Sequence, residues 1–184
     1  ARLKRIKKYD NRKEEIVKFV DVNKNGEKFY NVGQIWPEKY DVKLNEVKLT
    51  TYGRIYNRNN QELIHEVFIP DLKKILLPNK TYKLIIDYPL TKPYTQEIKT
   101  NKNGMTLREV LNIAVDAYKK IYKEEAKSSK LKVESVAKRS KGKSLLINRA
   151  QTDGKYGIWG HDLDNLTITN IIVKGNKIYL SVDS

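Results

Sequence analysis

Thr81-Tyr82-Lys83-Leu84-Ile85-Ile86-Asp87, then Tyr94-Thr95-Gln96-Glu97-Ile98-Lys99-Thr100, then Thr106-Leu107-Arg108-Glu109-Val110-Leu111 is the stretch whose reading decides the fold. The first two runs alternate in polarity, as half-buried strands do, and Pro89 and Pro93 punctuate the loop between them. At Thr106 the period changes. A threonine with a glutamate three residues on has capping-box spacing, in which each side chain reaches the other's otherwise unpaired backbone N–H. Leu107, Val110, Leu111, Ala114, Tyr118, Ile121 and Tyr122 then recur at three- and four-residue steps, which predicts one apolar face on a helix running to about Ala126.

Beyond this unit, Leu166–Val173 and Lys177–Val182 are rich in β-branched residues on either side of Lys174-Gly175-Asn176, a C-terminal hairpin signal. Upstream, Ile16–Val22 and Glu27–Val32 flank Asn23–Gly26 as another hairpin, and Trp36-Pro37 breaks the pattern. Residues 42–56 and 63–69 read as strands around an exposed Arg/Asn turn at 54–60, and 71–76 as a short helix stopped by Pro78. Hairpins flanking one amphipathic helix give an α+β class, a mostly antiparallel sheet with one long helix. The C-terminal half fits a β-grasp-like arrangement, in which a helix packs across two hairpins. At 184 residues the expectation is a basic flexible arm at 1–13 and a single domain over 14–184 carrying a basic loop at 127–149. That loop includes one short strand at 131–136.

The charge is placed rather than spread. Formal net charge is +15. Arg2, Lys4, Arg5, Lys7, Lys8, Arg12 and Lys13 face only Asp10, and Lys127, Lys130, Lys132, Lys138, Arg139, Lys141, Lys143 and Arg149 face only Glu134. The remaining sequence is nearly neutral. Segregated positive charge points to a polyanion, nucleic acid first and an acidic protein second, the ordinary alternative being solubilising Lys-rich tails. No apolar run approaches the ~20 residues of a membrane span, and no apolar stretch follows the basic start as in a signal peptide. A soluble intracellular protein is expected. Cysteine is absent and only His65 and His161 are present, which excludes thiolate chemistry and argues against a resident metal or other cofactor.

The densest local string is Thr152-Asp153-Gly154-Lys155-Tyr156-Gly157-Ile158-Trp159-Gly160-His161-Asp162-Leu163-Asp164. His161 beside Asp162 and Asp164 has the composition of a general base with an orienting carboxylate, or of a small metal site. The competing reading is a glycine-shaped turn whose Trp159 and Ile158 plug the core while His161 and Asp162 bond the backbone. Gly142-Lys143-Ser144 lacks the leading glycine and strand of a phosphate-binding loop. Tyr118 and Tyr122 fall on the buried helix face, whereas Tyr52, Tyr56, Tyr88 and Tyr94 lie near turns with bases close by and are candidates for base stacking.

The Asp87-Tyr88-Pro89-Leu90 string and the Tyr156-Gly157-Ile158-Trp159-Gly160-His161-Asp162-Leu163 string together resemble an uncharacterised protein family of giant nucleocytoplasmic DNA viruses and some protists. The resemblance covers the C-terminal hundred residues and carries no catalytic residues over. It implies a viral or protist origin and a place in a virion, a viral factory or the host nucleus or cytoplasm. The functional expectation is a non-enzymatic basic protein binding DNA or RNA largely without sequence specificity. The alternative is a virion structural or protein-interaction module docking its basic segments on an acidic subunit. Trp159, His161 and Asp162 are expected to form a structural turn or a further site.

Overall fold

A computed structural model describes residues 20–22, 27–38, 51–56, 62–68, 72–141 and 148–184. The expected basic arm, the turns at 23–26 and 57–60, residues 42–50, and Lys143 lie outside the described residues. The described residues form, in chain order, β1 (Val20–Val22), β2 (Lys28–Ile35), β3 (Thr51–Tyr56), β4 (Glu62–Phe68), β5 (Ile75–Leu77), β6 (Thr81–Ile86), β7 (Tyr94–Lys99), β8 (Met105–Thr106), α1 (Leu107–Ser128), α2 (Val136–Arg139), β9 (Thr167–Lys174) and β10 (Lys177–Asp183). A 3-10 turn, Leu163–Asn165, precedes β9.

The main sheet runs β1-β2-β9-β10-β6-β7. Every neighbouring pair is antiparallel except β10 and β6, which pair in parallel with Ile178 opposite Leu84. The C-terminal half is thus two hairpins, β6–β7 and β9–β10, joined through their inner strands, with α1 between them in the chain. This is the α+β class and the β-grasp-like order that the sequence predicts. The expected N-terminal hairpin strands also pair, Val20 opposite Tyr30, and add to the sheet through β2 and β9. β3 and β4 form a separate antiparallel pair.

Alternation sorts the sheet. Tyr82, Leu84 and Ile86 of β6, Ile98 of β7, and Ile178 and Leu180 of β10 point into the core. They join Leu107, Val110, Leu111, Ala114, Tyr118 and Ile121 of α1 in one apolar cluster. The capping box forms as the spacing requires: the Thr106 hydroxyl accepts from Glu109 N, and a Glu109 carboxylate oxygen accepts from Thr106 N at 2.7 Å.

Two local expectations are corrected. Residues 72–77 form a turn and β5 rather than a helix. Six residues ahead of a proline are too few to sustain a helix alone, whereas β5 gains a partner in β8. This segment instead serves α1: the carbonyls of Lys74 and Leu72 accept from Leu107 N and Arg108 N at 2.9 and 3.1 Å, pairing two of the helix's first free donors. The strand expected at 131–136 is also absent; α2 begins at Val136, capped by the Ser135 side chain. No helix among the described residues is long and apolar enough to cross a membrane.

Candidate functional site

The end of α1 explains how the 152–164 string is held. Glu125 continues the apolar stripe of Tyr118, Ile121 and Tyr122 and is 0% exposed. Its carboxylate accepts from the backbone N–H of Gly154 (2.9 Å), Tyr156 (2.7 Å) and Gly157 (3.3 Å). Burial pushes its pKa up, but the bonds from the Thr152 side chain and these three amides outweigh it and hold the group below its ordinary value. A buried charge is thereby balanced by neutral hydrogen-bond donors, three of them backbone amides, rather than by a cation.

Asp153 returns the favour to the helix end. Its Oδ1 accepts from Ser129 Oγ (2.7 Å), Lys130 N (3.0 Å) and Leu131 N (3.1 Å), which fixes the direction in which the basic segment leaves α1. The Ser129 hydroxyl is the largest of the influences that lower its pKa. Glu124 accepts from both Lys155 Nζ and the Tyr156 hydroxyl. Loop and helix end are one interlocked unit.

The two strings singled out by the sequence, 87–90 and 156–163, lie against each other. Leu90 bridges Ile158, Lys92 N donates to Tyr156 O at 2.9 Å, and Trp159 N donates to Pro89 O at 3.1 Å. The Tyr88-Pro89 bond is cis, and Tyr118 Oη donates to Tyr88 O at 2.8 Å. Ile158 is fully buried while its neighbour Trp159 is 41% exposed. The expectation that both residues plug the core therefore holds for Ile158 alone, because successive residues of an extended chain face opposite ways.

Trp159 belongs to a surface aromatic group. Its ring meets Tyr88 edge-on (centroids 5.4 Å, 82° between planes) and His161 at 5.6 Å and 60°, while Tyr88 and His161 lie 5.6 Å apart. The Tyr88 hydroxyl and Ser184 Oγ share a 2.8 Å hydrogen bond. His161 also gives its carbonyl to the Tyr122 hydroxyl at 2.8 Å, whose pKa is raised by burial against an opposing pull from Arg149.

The histidine and its acidic neighbours do not form a general-base pair. Asp162 is taken by an ion pair with Arg139, and the polar contact of the His161 ring is Ser184 Oγ at 3.4 Å. No group of three metal-ligating side chains occurs among the described residues. An open cleft of about 610 Å³ between β7 and α1 contains Lys120 and Lys155 together with Asp116; both lysines pair with Glu124, so two acids offset the two bases.

The bases nominated by the sequence divide into two kinds. Arg139 is 10% exposed in its side chain, bonded to Asp162 and to Glu134 O. Arg149 is 9% exposed, its guanidinium 5.1 Å from the Tyr122 ring centre and its backbone bridged to Gly160. These two arginines are fasteners rather than displayed charges. Lys138 pairs with Glu134 at 2.6 Å. Lys132 Nζ donates to the Ala126 and Ser129 carbonyls at the end of α1 yet remains exposed. Lys127, Lys130 and Lys141 are exposed, and no carboxylate among the described residues pairs with Lys127, Lys130, Lys132 or Lys141.

Sequence reasoning missed Glu125, although its position one turn beyond Ile121 on the apolar face was a readable signal. It also misplaced Tyr94, which is 8% exposed rather than available at a turn; the side chains of Tyr52 and Tyr56 lie outside the described residues. Set against known proteins, the chain matches no protein-family model, no curated protein and no solved structure.

Proposed function

We propose that this protein binds nucleic acid through phosphate contacts, largely without sequence specificity, using the bases at the end of α1 and on the segment that follows it. One observation carries the reading. The segment is fastened to the folded domain on both sides of Lys141, by Arg139 on Asp162 and by Arg149 against Tyr122 and Gly160, while Lys127, Lys130, Lys132 and Lys141 keep uncompensated charge. Lysines on a tethered segment act as point charges toward phosphate and carry no base readout. The 1–13 bases supply a second cluster of the same sign. The resemblance of the 87–90 and 156–163 strings to a giant-virus family supports placing this activity in a virion or viral factory.

The test is fluorescence anisotropy of labelled duplex DNA over a salt series. If about six to eight charges engage, the log–log slope is roughly −5 to −7. Weak binding with a flat salt dependence contradicts the proposal and directs the search to an acidic protein partner.

A further inference from the structure

We infer that the nucleic acid is taken single-stranded, with Trp159 as the platform on which an unpaired base stacks; this rests on the nucleic-acid reading above.

The first ground is the cost of exposing the residue. A tryptophan left 41% exposed beside a fully buried isoleucine forgoes apolar burial that its large ring would otherwise gain. Its mobility is not what keeps it there. The loop beneath is tied by three amides to Glu125 and by Trp159 N to Pro89 O, and Gly157 and Gly160 reverse the chain at φ 65° and 71°. The ring is presented rigidly, so a ligand stacking on it gives up little conformational freedom of the protein.

The second ground is how the ring is supported. Its contacts with Tyr88 and His161 are both steeply inclined, so neither of these rings lies flat on the indole as a stacked base would. A flat π-face is shared by every base, so such a platform binds single strands without reading sequence, and it cannot reach bases held inside a duplex.

The third ground is the position of the positive charge. The basic segment is anchored on the platform itself, Arg149 against Gly160 and Arg139 against Asp162, the residues flanking Trp159 and His161. Arg139 neutralises the carboxylate next to His161 that would otherwise repel a phosphate backbone. Asp87, Asp164 and Asp183 are further acids close in sequence to Tyr88, His161 and Ser184, which favours a base at the platform and phosphates along the lysines. A stacking aromatic beside a cationic track is the arrangement that single-strand binding uses.

The experiment compares the full chain with Trp159→Leu and Trp159→Phe on a labelled 20-mer of dT and on a 20-base-pair duplex at one salt concentration. Trp159→Leu is expected to weaken the single strand about 5- to 150-fold and the duplex less than about twofold, with Trp159→Phe intermediate. A second measurement covers a leucine variant that folds poorly: in Trp36→Phe, which leaves Trp159 as the sole indole, the single strand quenches the emission and the duplex does not. Equal loss on both ligands, no loss on either, or no quenching overturns the inference while salt-dependent binding leaves the nucleic-acid reading intact. Failure of the full chain to bind either ligand overturns both.

Discussion

Glu125 accepts a hydrogen bond from the backbone amide of Tyr156 at 2.7 Å with no exposure to solvent, and through that contact a helix residue fixes a loop 31 positions further along the chain. Two more amides, of Gly154 and Gly157, converge on the same carboxylate, so the loop's shape depends on one buried charge. Everything displayed above it, including Trp159 and the anchoring points of the basic segment, depends on this junction.

Replacing Glu125 by Gln therefore costs more than its volume suggests. The amide NH2 must face a backbone donor that the carboxylate oxygen had satisfied, and the remaining bonds lose their charge assistance. The expected loss is about 2–3 kcal/mol, a fall in Tm of about 4–12 °C for a chain of this size. A thermal melt within a degree of the parent contradicts the junction's importance.

Acid should undo the same contact. The Glu125 pKa is depressed in the folded state below its ordinary 4.5, so its contribution is fully present above that value and is lost as pH falls through the folded pKa. Asp153 is depressed likewise, chiefly by Ser129, and acts with the same sign. Urea midpoints are expected to be flat from pH 7 to 5 and to fall below about 4.5, and the gap between parent and Glu125→Gln should narrow there. A gap that widens on acidification would refute the assignment.

Gly154 shows why the loop needs a residue without a side chain at its closest approach to α1. A Cβ there would lie 2.6 Å from Ser128 Oγ and 2.7 Å from Glu125 Oε2. Gly154→Ala should cost about 1–3 kcal/mol by overpacking. Because it displaces the same carboxylate, its cost in the Glu125→Gln background should be clearly smaller. Strict additivity of the two in denaturant titrations contradicts a shared junction.

Much of this architecture was legible beforehand. The capping box at Thr106 and Glu109, the alternation of Thr81–Asp87, and the hairpin about Gly175 are local signals, and each appears where its residues place it. The short segments at 71–76 and 131–136 misled because tertiary partners decided them: β8 drew Ile75–Leu77 into a strand, and Asp153 with the Ser135 cap set the course of the chain after α1. Lys132, Arg139 and Arg149 look equivalent in sequence, since nothing local distinguishes a displayed base from one that caps carbonyls or lies on a tyrosine ring. Trp159, expected in the core beside Ile158, faces out because successive residues of an extended chain face opposite ways.

Arg139 and Lys141, two residues apart, should behave differently. Arg139→Gln leaves Asp162 without its partner at 19% side-chain exposure and is expected to cost about 1–3 kcal/mol of stability. Lys141→Gln should leave Tm unchanged and make the duplex salt slope less negative by about 0.9. Melts and salt series on both variants check this; the reverse pattern would show that the fasteners and the displayed charges have been exchanged.

The most direct test of the central claim is the salt dependence of single-strand binding after Lys127, Lys130, Lys132 and Lys141 are changed together to Gln. These lysines are exposed and without acidic partners among the described residues. A folded variant is expected whose log–log slope is less negative by about 2–3, with affinity falling most at low salt. An unchanged slope and affinity would contradict the central claim, because these four lysines would then not be what meets the phosphates.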